Sequence, residues 1–274
     1  MSQMTRHIFR LPHSDCEAAI HVQGPESGPP VFMAHAILTS SMMWDSQAAL
    51  LAARGYRVLR ADTRGHGASQ APAAPYAMDD LVDDIVDLLD ALAIERAHYV
   101  GLSLGGMAGF GLGIRHPERV LSLCLCDARA DAPADFAAPW DDRIALAQRQ
   151  GCAALADPTI ERWFGKAFVD AHPDIAARFR QAAGATAIDG LVGCARAIQG
   201  LDYRAGVGGI AAPVTMIVGA NDAALPQAMK DLQGEIPGAA LEVIDGAGHL
   251  PNIDQPARFD AALLGHLARA EEAF

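Results

Sequence analysis

The chain contains few of the residues that mark several classes of protein. Its 274 residues include five cysteines, an odd number, and no C-x-x-C pair occurs among them. Neither a disulfide framework nor a zinc site is therefore expected. Lysine and arginine number 21 against 33 aspartate and glutamate residues, so the net charge is −12. Without a basic cluster, this acidic balance argues against nucleic acid and anionic membranes as partners.

A long uninterrupted hydrophobic run is also missing. The longest uncharged stretch, residues 98–114, is interrupted by glycines and is too short to span a bilayer. The first 14 residues are polar and lack the apolar core of a secretory signal. We therefore expect a cytoplasmic protein with no membrane partner. The five cysteines are then expected to be reduced, buried side chains.

What the chain does contain is an alternation of apolar, strand-like runs and helical patterns. Strands are predicted at residues 18–22, 30–34, 57–61, 97–101, 120–126, 214–218 and 240–244, and helices at residues 44–54, 78–92, 104–115, 226–236 and 255–270. This order predicts an α/β fold with a mostly parallel central sheet flanked by helices. The first strands follow one another without helices, which favours an antiparallel start to the sheet.

One segment interrupts this alternation. Residues 132–205 are poor in strand patterns and rich in helical ones, and they carry two of the three tryptophans. We expect this segment to be a helical cap. It would be inserted into a core domain formed by residues 1–131 and 206–274.

Residues 101–105 read Gly-Leu-Ser-Leu-Gly and lie where a predicted strand meets a predicted helix. A G-x-S-x-G turn in this context presents its serine as a nucleophile, and the glycines are needed because the turn is tight. A chain with 26 glycines can also contain this pentapeptide by chance, as a plain turn. Ser103 is therefore a candidate nucleophile whose assignment depends on finding its partners.

A serine hydroxyl needs a base, and an imidazole can take up and return a proton at neutral pH. Among the ten histidines, His249 is the best candidate, because it lies in a glycine-rich loop after the last predicted strand. Such loops lie over the carboxyl ends of a parallel sheet, where sites form in these folds. His66 is interpreted as part of a structural turn and His98 as a packing residue.

The imidazole in turn needs an acid that orients it. Asp222 follows the strand at residues 214–218, and the order Ser103, Asp222, His249 is the one that nucleophile-elbow hydrolases use. Asp127, at the end of the strand at residues 120–126, is the competing candidate. We favour Asp222, because its loop is the usual position of the acid.

Two backbone N–H groups should form an oxyanion hole beside the serine. Leu104 follows the nucleophile directly, and Ile37 lies in the loop after the strand at residues 30–34. Both assignments depend on topology, because the donors are backbone N–H groups and the residue type does not identify them. With this set of residues the chemistry calls for no metal ion and no organic cofactor.

Several longer motifs have a recognisable pattern. They are residues 60–69 (Arg-Ala-Asp-Thr-Arg-Gly-His-Gly-Ala-Ser), 88–92, 101–107, 116–120 and 248–256 (Gly-His-Leu-Pro-Asn-Ile-Asp-Gln-Pro), with residues 140–144, 162–164, 193–198 and 201–204 in the expected cap. On these motifs the chain resembles the α/β-hydrolase superfamily along nearly all its length. Within that superfamily it is similar to 3-oxoadipate enol-lactonases and their relatives.

The resemblance implies a carboxylic-ester hydrolase, an esterase or lactonase, with an α/β-hydrolase fold and an inserted cap. The chain departs from the enol-lactonase pattern at residues 35–39 (His-Ala-Ile-Leu-Thr) and 127–130 (Asp-Ala-Arg-Ala). The larger apolar residues at 36–38 should make the acyl side of the pocket tighter and more apolar.

The expected function is that of a serine hydrolase that cleaves a small ester or lactone through an acyl-enzyme. Trp140 and Trp163 are candidates for an apolar substrate wall, and Arg129 and Arg143 for contacts to a substrate carboxylate. The alternatives for these side chains are core packing and surface ion pairs. The same triad could also serve a carbon–carbon bond hydrolase, a perhydrolase, an acyltransferase or a ligand-binding protein with slow turnover. A homodimer is a further expectation.

Overall fold

The computed structural model of the chain describes residues 4–272. Its strands are β1 (Thr5–Leu11), β2 (Cys16–Gln23), β3 (Pro30–Ala34), β4 (Arg57–Ala61), β5 (Ala97–Leu102), β6 (Val120–Cys126), β7 (Val214–Gly219) and β8 (Ala240–Ile244). They form one eight-stranded sheet in the order β1-β2-β4-β3-β5-β6-β7-β8. β2 pairs antiparallel with β1 and β4, and all pairs from β4 to β8 are parallel. The predicted α/β-hydrolase type of sheet is confirmed.

Helices cover this sheet and fill the segment between β6 and β7. They are α1 (Asp45–Ala52), α2 (Met78–Ala91), α3 (Leu104–Arg115), α4 (Ala134–Ala137), α5 (Pro139–Gln150), α6 (Ala156–Phe164), α7 (Lys166–Ala171), α8 (Pro173–Ala185), α9 (Ile188–Gln199), α10 (Leu225–Glu235), α11 (Pro251–Asp254) and α12 (Pro256–Glu271). No helix within residues 4–272 is both long and apolar enough to cross a membrane.

The seven predicted strands are all present, and the structure adds β1. This strand escaped prediction because it lies at the edge of the sheet, where most of its residues are exposed and the sequence carries charges and a half-exposed isoleucine, Ile8. Edge strands show a weaker hydrophobic pattern than central ones. By contrast, every residue of β5 and of β7 is buried, which explains their continuous apolar runs.

The parallel strands determine where a site can form. The loops after β3, β5, β6 and β7 all leave the same edge of the sheet, and they carry Ile37, Ser103, Asp127 and Asp222 respectively. Ligands of open α/β sheets bind at this carboxyl edge.

Helices α4–α9 lie between β6 and β7 in the sequence. The two ends of this segment meet in an isolated antiparallel bridge between Asp131 and Asp202, and the N–H of Tyr203 donates to the carbonyl oxygen of Ala130 at 2.7 Å. The chain therefore leaves the sheet and returns to it at nearly the same point, next to both predicted cap boundaries. We call residues 132–205 the cap below.

Candidate active site

Ser103 lies at the turn between β5 and α3 and has a strained backbone conformation. Its φ is +56° and its ψ is −114°, a region that residues with a Cβ rarely adopt. The turn is so tight that a Cβ at Gly101 would lie 2.3 Å from the carbonyl oxygen of Gly105. The N–H of Ser103 donates to the carbonyl oxygen of Cys126 at 2.8 Å, which attaches the turn to β6.

His249 and Asp222 form a hydrogen-bonded pair. Nδ1 of His249 lies 2.6 Å from Oδ2 of Asp222, and the two residues come from the loops after the neighbouring strands β8 and β7. Burial alone would raise the pKa of the Asp222 carboxyl, but the adjacent imidazole outweighs burial and the pKa is lowered. Asp222 is therefore ionised at neutral pH. With Nδ1 engaged, Nε2 is the ring nitrogen that is available to act as a base.

The loop that carries His249 is fixed at two points. The N–H of His249 donates to the carbonyl oxygen of Trp163 at 2.9 Å, and the rings of these two residues stack with their centroids 6.0 Å apart. The N–H of Gly248 donates to Oδ2 of Asp254 at 2.7 Å. The imidazole is thus held both by the cap, through α6, and by α11.

A cavity of about 240 Å³ lies between the carboxyl edge of the sheet and the cap. The structure brings most of the residues predicted for the site to its wall, namely Ile37, Ser103, Arg129, Trp140, Arg143, Trp163, Asp222 and His249. Leu104 is the first residue of α3 and lies directly behind Ser103. The remaining wall includes Met107, Phe136, Ile198 and Leu225, so the cavity is largely apolar with a few polar groups, as is usual for small-molecule sites.

The loop after β3, which carries Ile37, is supported by a buried histidine. Leu38 has a φ of +60°, and its N–H donates to Nε2 of His66 at 3.1 Å. Nδ1 of His66 lies 3.1 Å from the carbonyl oxygen of Arg64, so Nδ1 carries the proton and Nε2 accepts. Burial lowers the pKa of His66 to about 3, and the ring therefore stays neutral. The sequence showed His66 only as a turn residue, because the motif carries no signal for this contact.

Asp127 is completely buried at the end of β6, next to the His249–Asp222 pair. Its φ is +44°, and its Oδ1 accepts a hydrogen bond from the N–H of Gly219 at 2.9 Å. Its Oδ2 is buried and receives no hydrogen bond from any donor within residues 4–272. One oxygen or nitrogen atom from each of Asp127, Asp222 and His249 lies within 4.8 Å of the others.

These three side chains are also the group in the described part of the chain whose donor atoms could hold a metal ion. The 2.6 Å contact between Nδ1 of His249 and Oδ2 of Asp222 already engages two of those donors with each other. The absence of a metal from the chemistry remains a prediction.

Two arginines give the cavity a positive region. The guanidinium of Arg143 lies 4.5 Å from the ring centre of Trp140. Its neighbour Arg162 also lines the cavity, and the sequence analysis assigned no role to it. Within residues 4–272 neither of them lies within 4.0 Å of a carboxylate, whereas Arg129 is paired with Asp131 at 3.0 Å. Burial, together with the charge of Arg162, lowers the pKa of Arg143 to about 10, so the group remains protonated at neutral pH.

A serine in the core, Ser122, contacts two histidines away from the cavity. Oγ of Ser122 lies 2.8 Å from Nδ1 of His98 and 2.8 Å from Nε2 of His266. Nδ1 of His266 lies 2.9 Å from Oγ1 of Thr215, and all four residues are buried. None of them lines the cavity described above. The network therefore satisfies buried polar groups beneath the sheet, and His98 packs as its position in the sequence predicted.

Comparisons with known proteins agree with this fold. Residues 29–256 match a family described as alpha/beta hydrolase fold. The chain is 33% identical over 241 residues to 3-oxoadipate enol-lactonase 2 of Acinetobacter baylyi, which covers 88% of this chain and 89% of that protein. It is 31% identical over 255 residues to a putative carbamate hydrolase, RutD, of Variovorax paradoxus, covering 90% of this chain and 95% of that protein.

A solved structure is similar as well. The enol-lactonase from Burkholderia xenovorans LB400 has a TM-score of 0.91 and 32% identity, covering 96% of this chain and 100% of that chain. The predicted resemblance to 3-oxoadipate enol-lactonases is thereby confirmed. The fold, the tight Gly-Leu-Ser-Leu-Gly turn and these matches together lead to one conclusion, that the chain belongs to the alpha/beta hydrolase fold family.

Proposed function

We propose that the chain is a serine hydrolase that cleaves a small ester or lactone through an acyl-enzyme. Ser103 is the nucleophile, His249 the general base and Asp222 the acid that orients the imidazole. One observation carries the proposal: all three side chains line one cavity, with His249 and Asp222 in a 2.6 Å contact. The prediction of a carboxylic-ester hydrolase is confirmed at the level of enzyme class, since the similar proteins include enol-lactonases.

In the acylation step, Oγ of Ser103 attacks the carbonyl carbon of the substrate while its proton passes to Nε2 of His249. The carbonyl electron pair moves onto oxygen, and Asp222 stabilises the imidazolium that forms. When the tetrahedral intermediate collapses, the leaving oxygen takes the proton from Nε2. A water molecule then attacks the acyl-enzyme while it gives a proton to the same nitrogen. When this second tetrahedral intermediate collapses, the bond from the acyl carbon to Oγ of Ser103 breaks, Nε2 returns the proton to Oγ, and the acid is released.

The oxyanion of the tetrahedral intermediate requires N–H donors directed at the substrate's carbonyl oxygen. In the proposal these are the N–H groups of Leu104 and Ile37, one at the N-terminus of α3 and one in the loop braced by His66. The positive end of the α3 dipole lies at the same place and favours the negative charge. The loss of one such donor costs roughly 3 kcal/mol of transition-state stabilisation.

The charge distribution in the cavity favours a substrate that carries a carboxylate. Arg143 and Arg162 both line the wall, and desolvation lowers the pKa of both. Within the described chain neither lies within 4.0 Å of a carboxylate, although the more distant charge of Asp222 acts on Arg162. Two neighbouring cations that repel each other are stabilised by an anion placed between them. A lactone with a free carboxylate, such as the substrate for which the enol-lactonases are named, combines the required ester bond with this charge.

The test is hydrolysis of p-nitrophenyl butyrate followed from the first turnover. A burst of one p-nitrophenolate for each active site, followed by steady release, is the expected result for an acyl-enzyme. Ser103→Ala should lose activity by about a million-fold, as other hydrolases of this mechanism do. The matched control is Ser122→Ala, which removes the other histidine-paired serine and should leave the burst unchanged.

Two outcomes would contradict the proposal. One is activity that survives in folded S103A protein, and the other is activity that is lost in folded S122A protein. A stoichiometric burst without turnover would instead favour a ligand-binding protein with slow turnover. Rates for carboxylate-bearing lactones, neutral esters, carbamates and carbon–carbon substrates, compared side by side, would rank the remaining hydrolytic alternatives. The same assays in the presence of EDTA should give unchanged rates.

A further inference from the structure

The mechanism above leaves the buried acid beside Asp222 and His249 without a role. Asp127 is completely buried, has a left-handed backbone conformation with φ of +44°, and lies within 4.8 Å of both Asp222 and His249. A buried carboxyl group next to an ionised one cannot easily ionise as well, because the two negative charges would share a site with little water. Its protonation state decides whether Asp127 can donate a hydrogen bond or can only accept one.

We propose that Asp127 is a positioning residue that stays protonated and donates a hydrogen bond from Oδ2 to the carboxylate of Asp222. That bond would hold Asp222 in place against Nδ1 of His249. The inference rests on the proposed function, in which Asp222 orients the imidazole. It assigns to Asp127 a contact with the acid and none with the substrate.

The hydrogen-bond geometry at Asp127 is the first support. Oδ1 accepts from the N–H of Gly219 at 2.9 Å, so this oxygen needs no proton. Oδ2 is buried and no donor within residues 4–272 reaches it. An acceptor left in this way is unfavourable, whereas a hydroxyl at the same position becomes a donor with Asp222 as its acceptor. A proton on Oδ2 therefore satisfies both oxygens.

The charges that face Asp127 are the second support. Asp222 lies beside it in the loop after β7, and Asp254 contributes a further acidic group from α11. His249 is the nearby base, and it is already hydrogen-bonded to Asp222. Burial and then the charge of Asp222 raise the pKa of Asp127 well above its ordinary value, while Asp127 in turn helps to lower the pKa of Asp222.

The consequence for the site is a chain of hydrogen bonds that starts in the sheet. Gly219, at the end of β7, holds Asp127; Asp127 holds Asp222; and Asp222 holds the imidazole. The carboxylate of Asp222 is then held by two donors, Asp127 and His249, and not by His249 alone. The carboxylate can then stay ionised in a buried position without turning away from the ring.

The test compares Asp127→Asn with Asp127→Ala. The asparagine keeps the acceptor oxygen for Gly219 and offers an N–H to Asp222, so D127N should retain the kcat of the wild type. The alanine removes the donor, so D127A should lose kcat by roughly 10- to 100-fold, as expected for the loss of a hydrogen bond to a charged group. KM should change little, because Asp127 does not hold the substrate. Thermal unfolding of both variants separates this loss from a failure to fold.

A readout that does not involve activity is the infrared spectrum. The wild type minus D127N difference at pH 8 should contain the C=O stretching band of a protonated, buried carboxylic acid. A spectrum without that band, or a folded D127N variant that loses activity by orders of magnitude, would mean that Asp127 works as a carboxylate and would overturn the inference. The band does not depend on Ser103. If the band is absent while S103A loses activity as expected, the proposal for Asp127 fails and the proposed function stands.

Discussion

The backbone N–H of His249 donates to the carbonyl oxygen of Trp163 at 2.9 Å, and the two rings stack with centroids 6.0 Å apart. Trp163 belongs to α6 of the cap, whereas His249 follows the last strand of the sheet. The cap therefore bounds the substrate cavity and also helps to fix the position of the proposed base.

Gly248 makes this contact possible, and its replacement should reduce catalysis. A Cβ at this residue would lie 2.0 Å from the carbonyl oxygen of Trp163, so Gly248→Ala must displace either the loop or α6. A shift of about 1 Å in the base is enough to cost roughly 100-fold in kcat. Steady-state kinetics should show this loss. The control is Gly234→Ala on α10, where the added Cβ would have no atom of another described segment within 4 Å. Equal losses in both variants would contradict the coupling.

The arginines of the cavity should select for anionic substrates. Arg143→Gln and Arg162→Gln each remove one charge that has no carboxylate partner in the described chain. For a lactone that bears a carboxylate, we expect KM to rise roughly 10- to 100-fold in each variant, the range for loss of a charge-assisted hydrogen bond. For neutral p-nitrophenyl butyrate, KM should stay the same.

Arg129 provides the comparison for this experiment. Its guanidinium is paired with Asp131 at 3.0 Å, so Arg129→Gln should change KM for the anionic lactone less than the other two substitutions do. A KM that responds only to R129Q would mean that the carboxylate binds at Arg129, which the sequence analysis named as a candidate together with Arg143. Equal changes for neutral and anionic substrates would argue against charge recognition altogether.

His66 should matter for catalysis although it lies outside the triad. His66→Ala leaves the buried N–H of Leu38 without an acceptor, which should lower the free energy of unfolding by about 1–3 kcal/mol. Because the loop also carries Ile37, kcat should fall while KM changes little. His172→Ala, at an exposed histidine of the cap, is the control. Urea unfolding measures the effect on stability and steady-state kinetics the effect on kcat. An unchanged kcat in folded H66A would mean that this loop does not contribute to the oxyanion hole.

Stability should decline on acidification below about pH 6.5 because of buried neutral histidines. Burial lowers the pKa of both His66 and His266 to about 3. Between these pH values the unfolded chain binds protons that the folded chain does not. The free energy of unfolding should therefore fall by roughly 1.4 kcal/mol per pH unit for each of the two histidines, and their contribution is complete above about pH 6.5.

His266→Gln isolates one of these contributions. Urea unfolding between pH 6.5 and pH 4 should show a slope that is smaller in H266Q than in the wild type by roughly 1.4 kcal/mol per pH unit. Asp254, whose pKa burial raises to about 6, contributes with the opposite sign. It is present in both proteins and therefore cancels in the comparison. Identical slopes would mean that His266 is not a buried neutral group.

The sequence was sufficient for features that depend on pattern and order along the chain. Continuous apolar runs predicted the buried strands, and the G-x-S-x-G turn predicted the place of Ser103 at the end of β5. The chain order of Asp222 and His249 then predicted a pair, which the structure brings to 2.6 Å. These features are local or topological, and for that reason they can be derived without coordinates.

Features that depend on contacts between distant segments could not be derived in this way. The contact between Leu38 and His66 joins residues 28 positions apart, and neither residue type signals it. Arg162 lies in a recognisable motif, but its approach to Arg143 depends on how α5 and α6 pack. Asp127 is buried among residues that are distant in the sequence, including Asp222 and His249. Its proposed role depends on this low-dielectric environment, which cannot be derived from the sequence.

The positive φ of Ser103 has a consequence for the balance between stability and activity. At a φ of +56° a residue with a Cβ is strained, whereas glycine is not. The strain costs on the order of 1 kcal/mol or more of folding free energy. Ser103→Gly should therefore melt at a higher temperature than the wild type while losing its chemistry. The protein would then be more stable without the hydroxyl that the proposed mechanism requires, and selection for turnover would keep serine at this strained position.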